Sequence, residues 1–246
     1  MKTIPTLSLL AALAAFLATA LPSPAQVVLY SNDFNQNGSP ETYADQNLST
    51  VGFVGDVVTP STRVFSNSDG LTVPNWAVYS FTGATVTEGF YTAPGTLTPI
   101  SITAPELTFS VDIQSQFNAQ NVNAFFAVET SNGQWYASST ALPEATGTWT
   151  TNSLAFSATA SQWDLLTVGT PTGNGTDSGA TIGSVATSDL TGNIIAAGFL
   201  ASHFKGNGTA NFDNFTITAA AAPEPSTWAL LFAGLIGLLF RLRRRT

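Results

Sequence analysis

Aromatic residues are the side chains in this sequence best suited to bind a ligand. Six of them could form a platform on which pyranose rings stack: Trp76, Tyr79, Trp135, Tyr136, Trp149 and Trp163. Of these, Trp76, Trp135, Tyr136 and Trp163 are our predicted carbohydrate contacts. Large aromatic side chains on strands also pack into cores or against cross-strand neighbours. The sequence alone leaves both interpretations open.

Groups that could perform catalysis are sparse. The chain has one histidine, His203, no cysteine, and no Gly-x-Ser-x-Gly turn that would expose a nucleophilic serine. Retaining glycosidases need two carboxylates about 5 Å apart, and nothing in the sequence pairs Glu106, Asp112 or Glu129. We therefore predict no catalytic residue and no enzymatic activity, with a secreted glycan-cleaving enzyme as the alternative.

The charge distribution limits the classes of partner. Residues 26–222 contain fourteen acidic residues and two basic ones, Arg63 and Lys205, which gives a formal charge of −12. Such a body has no cationic patch to neutralise phosphates, so we exclude nucleic-acid binding. Acidic surfaces attract divalent cations, but they also simply keep a protein soluble.

The pattern along residues 26–218 predicts an all-β fold, a two-sheet antiparallel β-sandwich of the jelly-roll type. Short apolar or alternating runs are separated by Gly, Pro, Asn and Asp clusters. Asn132-Gly133 between two such runs predicts a hairpin, and residues 171–188 are expected to form a long loop. The predicted strands are residues 27–30, 50–58, 76–82, 107–114, 124–129, 134–138, 148–155, 194–202 and 210–218.

Three short segments resemble the first, middle and last strands of jelly-roll domains of the laminin-G or concanavalin-like type. They are residues 28–34, 133–136 and 211–217. The resemblance implies that the first and last strands lie side by side, with Asp33 near Asp213. It also implies a structural calcium ion there, held by the hard oxygen ligands that calcium prefers. Alternatively, Asp213 and Asn214 cap a turn before the final strand.

Residues 1–25 follow the plan of a signal peptide. Lys2 gives the positive start, residues 7–21 the apolar region, and small residues the cleavage site. Cleavage is predicted between Ala25 and Gln26, because Pro22 and Pro24 present an extended segment; cleavage after Ala20 and an uncleaved anchor are the alternatives.

The tail combines three features in order. Pro223-Glu224-Pro225 precedes an uncharged run over residues 227–240, and a basic cluster follows at Arg241, Arg243, Arg244 and Arg245. The run predicts a short transmembrane helix, and the arginines that follow it mark its cytoplasmic end. The tail resembles the PEP-CTERM sorting signal of Gram-negative bacteria, which implies cleavage near Pro223-Glu224-Pro225 by an exosortase in the inner membrane.

These observations predict three segments: a signal peptide at residues 1–25, a β-sandwich at 26–218 and a sorting tail at 219–246. The protein is expected to be exported, to pass through the inner membrane, and to reach the cell surface or extracellular matrix. A structural role beside exopolysaccharide in a biofilm is the leading hypothesis, as the sorting resemblance implies. A carbohydrate-binding module is the alternative.

Overall fold

The computed structural model describes residues 25–34, 53–56, 62–66, 76–82, 86–117, 122–143, 147–169, 179–203 and 207–221, together with Gly234 and Arg241. The predicted all-β sandwich is confirmed, since the described residues of the sandwich form strands with a single turn of 3-10 helix at Ala160–Gln162. In chain order the strands are β1 (Gln26–Asn32), β2 (Phe53–Asp56), β3 (Thr62–Ser66), β4 (Trp76–Thr82), β5 (Val86–Thr92), β6 (Ile100–Ser101), β7 (Thr108–Phe117), β8 (Val122–Thr130), β9 (Trp135–Ser138), β10 (Thr150–Ala155), β11 (Trp163–Thr167), β12 (Thr181–Val185), β13 (Asn193–His203) and β14 (Asn207–Ala220).

The strands form two antiparallel sheets. The six-stranded sheet has the order β10-β7-β14-β4-β3, and β1 also pairs with β14. The eight-stranded sheet has the order β12-β11-β9-β8-β13-β5-β2, and β6 also pairs with β13. The predicted adjacency of the first and last strands is therefore confirmed.

All nine predicted strands occur, but five further strands were not predicted: β3, β5, β6, β11 and β12. The prediction of one long loop over residues 171–188 is wrong where β12 lies. That strand reads Thr-Ile-Gly-Ser-Val, and it has β11 as its partner in the sheet order. An edge strand of this composition lacks the apolar run that marks a buried strand.

Phenylalanine rings dominate the core between the sheets. Alternation along β7 places Phe109, Val111 and Ile113 inward, each with no exposed surface. Phe199 of β13 stacks on Phe212 of β14 with ring centroids 4.2 Å apart. These contacts join the centres of the two sheets.

Phe34 anchors the segment that follows β1. Its backbone has a φ of 50°, and its N–H donates to Asn32 Oδ1 at 2.8 Å. The ring is completely buried and meets Phe199 edge to face at 6.0 Å. A positive φ is unfavourable for a bulky residue, so burial of this ring must offset the cost.

The chain divides into two compact units, residues 28–219 and a second unit of residues 1–27 with 220–246. The first contains the sandwich core. In the second, Ala221 N–H donates to the carbonyl of Ala25 at 2.6 Å. The described part of the chain contains no helix with the length and apolar character needed to cross a membrane.

Candidate ligand-binding cleft

The eight-stranded sheet carries a second apolar cluster on the face that points away from the core. Because side chains alternate along strands, residues next to core positions in the sequence project to this outer face. The buried members of the cluster are Tyr91, Ala127, Ala137, Leu166, Ala180 and Leu200, and Phe125, Trp135, Val168 and Ile182 pack against them.

A cleft of about 610 Å³ opens beside this cluster. This volume lies within the range of about 300 to 1,000 Å³ typical of small-ligand sites. Tyr91, Glu129, Trp135 and Ala196 come from adjacent strands, and the turn after β5 and the segment after β11 supply further lining residues. The lining is Tyr91, Thr92, Pro94, Gly95, Leu97, Thr98, Pro99, Glu129, Trp135, Val168, Gly169, Ile195 and Ala196.

The β8–β9 hairpin positions Glu129 and Trp135, which lie directly opposite each other in its register. Gly133 N–H donates to Thr130 O at 2.8 Å, and Thr130 N–H donates to Gln134 O at 3.0 Å. Gly133 has a φ of 78°, as expected for a three-residue hairpin loop closed by a glycine. The predicted hairpin is confirmed.

Side chains at the hairpin tip connect it to the start of β13. Asn132 Nδ2 donates to Thr191 Oγ1 at 2.8 Å, and Ser131 Oγ accepts from Asn193 N–H at 3.1 Å. A bulge in β13 between Ile194 and Ala196 brings Ile195 and Ala196 into the cleft lining. The β8–β9 hairpin and β13, which both line the cleft, are thus hydrogen-bonded to each other.

Tyr91 of β5 forms the base of the cleft beside Trp135. The two ring centroids are 4.5 Å apart and the planes are inclined by 56°. Gly89, two residues earlier on the same face, leaves the space that the Tyr91 ring occupies, because a Cβ there would collide with the Tyr91 hydroxyl. Tyr91 itself is 1% exposed, whereas Trp135 is partly exposed.

Glu129 is the one carboxylate among the residues that line the cleft in the described chain. Partial burial raises its pKa above the ordinary value of 4.5, because the apolar surroundings disfavour the charged form. Among the described residues its carboxylate has no hydrogen-bond or ion-pair partner. By contrast, Asp164 on the same face of the sheet accepts a hydrogen bond from Ser139 Oγ at 3.0 Å.

The predicted aromatic contacts separate onto different faces. Trp135 lines the cleft. Tyr136, its neighbour in β9, packs against the main core. Trp163 is 0% exposed, and its indole N–H donates to Ser157 O at 2.7 Å. Trp163 has no accessible face for a sugar, because its alternation in β11 directs it between the sheets. Trp76 begins β4, and its side chain lies outside the described residues.

Sequence reasoning did not select Tyr91 or Glu129 as ligand contacts. From the sequence, Glu129 is a candidate only for a catalytic pair with Glu106 or Asp112, and neither of these lines the cleft. Asp112 lies on β7 in the other sheet, where its Oδ2 accepts from Asn214 Nδ2 at 2.8 Å. The pattern Gly89-Phe90-Tyr91 could have indicated Tyr91, because alternation places a small residue and a ring on one face.

The predicted calcium ligands differ in their surroundings. Asp33 follows β1 and is exposed. Asp213 lies within β14, is 1% exposed, and accepts a hydrogen bond from Asn214 N–H at 2.8 Å. In the described residues no group of three acidic, histidine or cysteine side chains is arranged to hold a metal ion. Calcium at Asp33 and Asp213 stays a prediction.

Of the two predicted processing sites, the structure describes the first. Ala25 and Gln26 are exposed at the start of β1. Pro223, Glu224, Pro225, Arg243, Arg244 and Arg245 fall outside the described residues, while Arg241 is helical and exposed.

Residues 221–245 match the PEP-CTERM protein-sorting motif. This chain therefore carries that sorting signal, which indicates an exported protein that passes through the membrane and is processed by an exosortase. The match covers the tail and leaves the sandwich unassigned. A comparison with curated protein sequences finds no match.

Carbohydrate-binding modules are among the solved structures similar to this chain. A family 22 xylan-binding domain from Paenibacillus barcinonensis is 12% identical, with a TM-score of 0.44 over 81% of this chain and 99% of its own. A family 11 module of a cellulosomal cellulase from Clostridium thermocellum is 17% identical, with a TM-score of 0.46 over 82% of this chain and 98% of its own. At these scores the likenesses carry no information about the ligand of this chain.

Proposed function

We propose that this exported protein binds a polysaccharide in the outer cleft of the eight-stranded sheet. The observation that carries the proposal is the partly exposed Trp135, supported from below by Tyr91 at 4.5 Å. The faces of pyranose rings present C–H groups, and these stack favourably on aromatic surfaces. A ring held rigidly by a second ring loses little conformational freedom when a sugar binds.

The chemistry of the cleft supports binding and not catalysis. Glycoside hydrolysis by two carboxylates needs a second carboxyl group about 5 to 9.5 Å from the first. In the described cleft lining only Glu129 carries one. The combination of apolar walls, one partly exposed aromatic ring and a few polar groups is typical of a binding site that orients a ligand.

A role within an exopolysaccharide or biofilm matrix follows from this binding as part of the same proposal. The sorting signal delivers the protein outside the cytoplasm, and the sandwich would attach there to an extracellular glycan. The strongly acidic body, with two basic residues over residues 26–222, favours solubility and discourages nonspecific attachment to anionic surfaces.

Substitution of Trp135 tests the proposal. Binding of the purified residues 26–222 to immobilised and soluble polysaccharides is expected to be saturable and to weaken about tenfold or more in Trp135→Ala, as for loss of a central aromatic contact. Tyr136→Phe is the matched control, since this neighbouring ring packs toward the core and should leave affinity unchanged. Equal affinity of wild type and Trp135→Ala would contradict binding in this cleft.

A further inference from the structure

We infer that the glycan bound in this cleft carries free amino groups, an inference that rests on the proposed function. Glu129 and Trp135 face each other across the β8–β9 hairpin, and Tyr91 lies against Trp135. A carboxylate next to aromatic faces is a favourable environment for an ammonium group. Glycans carry such groups where their hexosamine units lack acetyl groups.

The geometry allows one ammonium group to contact both kinds of partner. Directly opposed residues of an antiparallel pair have Cβ atoms about 4.5 to 5.5 Å apart. An ammonium group on the sugar could donate a charge-assisted hydrogen bond to Glu129. It could at the same time lie near the Trp135 face, where the ring quadrupole attracts a cation.

No lysine or arginine is among the residues that line the cleft in the described part of the chain. The sequence contains no lysine or arginine between Arg63 and Lys205, and every residue that lines the cleft comes from that interval. Arg63 belongs to β3 of the other sheet. Lys205 follows His203, which lies seven residues beyond Ala196 on β13, or roughly 23 Å along an extended strand.

An unpaired carboxylate in an apolar cleft therefore favours a ligand that brings the missing charge. A uronate polymer would place a second negative charge beside Glu129 and be repelled. The hydroxyl groups of a neutral glycan can donate hydrogen bonds to Glu129 but leave its charge uncompensated. The substituent at carbon 2 of each sugar consequently controls affinity.

The test uses three oligosaccharides with one backbone: β-1,4-linked hexamers of glucose, of N-acetylglucosamine and of glucosamine. The affinity of each hexamer for a purified fragment of residues 26–222 is measured by calorimetry at about pH 6, where the free amines are protonated. The glucosamine hexamer is expected to bind about tenfold more tightly than the glucose hexamer, as for one hydrogen bond to a charged group.

Two variants locate the source of this preference. Glu129→Gln should bring the ratio of the two affinities close to one while retaining measurable binding of the glucose hexamer, which shows that the variant is folded. Asp164→Asn changes the formal charge equally on the same face, at a carboxylate outside the cleft lining, and should keep the tenfold ratio.

The outcomes separate the two proposals. Equal binding of all three hexamers, weakened by Trp135→Ala, would overturn the amino-glycan inference and leave polysaccharide binding intact. Equal loss of the preference in both carboxylate variants, together with comparable binding of polylysine, would overturn it in favour of general charge attraction. Binding of none of the hexamers or polysaccharides would overturn the proposed function itself.

Discussion

Glu129 is an ionisable group whose environment favours its uncharged form. Since its native pKa is raised above 4.5 by burial, the folded protein binds the proton more tightly than the unfolded chain. Stability therefore decreases as the pH rises from the unfolded pKa through the native one. The cost of the ionised carboxylate is fully present above that window.

We predict that Glu129→Gln raises the melting temperature at pH 7 relative to wild type. The difference should vanish below about pH 4, where the wild-type carboxyl is also uncharged. Thermal unfolding of both proteins across this pH range is the measurement. A variant that is less stable than wild type at pH 7 would contradict the prediction, because it would show that the charged carboxylate stabilises the folded state.

Trp135 is the predicted aromatic contact that lines the described cleft, and its partner Tyr91 was not predicted. Trp135 and Tyr136 are adjacent, so strand alternation requires that they face opposite ways, but it does not say which of them meets the core. Trp163 belongs to β11, a strand that was not predicted, so its direction could not be assigned. Trp135 lies on β9 and Tyr91 on β5, and the sheet order places β8 and β13 between these strands. Their contact could not be predicted, because this order depends on pairing between distant segments of the chain.

At the level of elements, the β8–β9 hairpin was the most predictable part of the site. Its turn chemistry is local, because a glycine at positive φ closes the loop. The hydrogen bonds from Asn132 to Thr191 join segments 59 residues apart, so they could not be foreseen. The orientation of the cleft wall depends on both the turn and these hydrogen bonds.

We predict that Gly133→Ala destabilises the protein by about 1 kcal/mol, because a residue with a Cβ is strained at positive φ. No atom lies within 4 Å of the added Cβ, so the cost comes from the backbone alone. Gly133→Asn is the matched variant and should lose less, since asparagine tolerates this conformation. Chemical denaturation measures both, and equal losses would contradict a backbone origin.

Strands β1 and β14 lie side by side, as the predicted calcium site requires. If an ion links Asp33 to Asp213, added calcium should raise the melting temperature and a chelator should lower it, since a ligand of the native state stabilises that state. Asp33→Asn should remove the effect. Melting that is identical in calcium and in chelator would refute the site and leave Asp213 with its Asn214 hydrogen bond.

At the scale of the whole molecule, the sorting signal at residues 221–245 begins directly after β14 ends at Ala220. We predict that protein isolated from its native host lacks residues 228–246 and begins at Gln26. Intact-mass analysis measures both ends at once. The same chain expressed without an exosortase is the control and should retain its arginine-rich end. Retention of that end in the native host would contradict processing.

The position of β14 also determines when the sandwich can fold. This strand leaves the ribosome after all other described strands, yet it lies inside the six-stranded sheet, with β7 on one side and β4 and β1 on the other. Until residues 207–220 have crossed the membrane, β1, β4 and β7 lack their common partner. Non-local pairing of this kind is slow, so folding should finish only once translocation has reached the sorting signal.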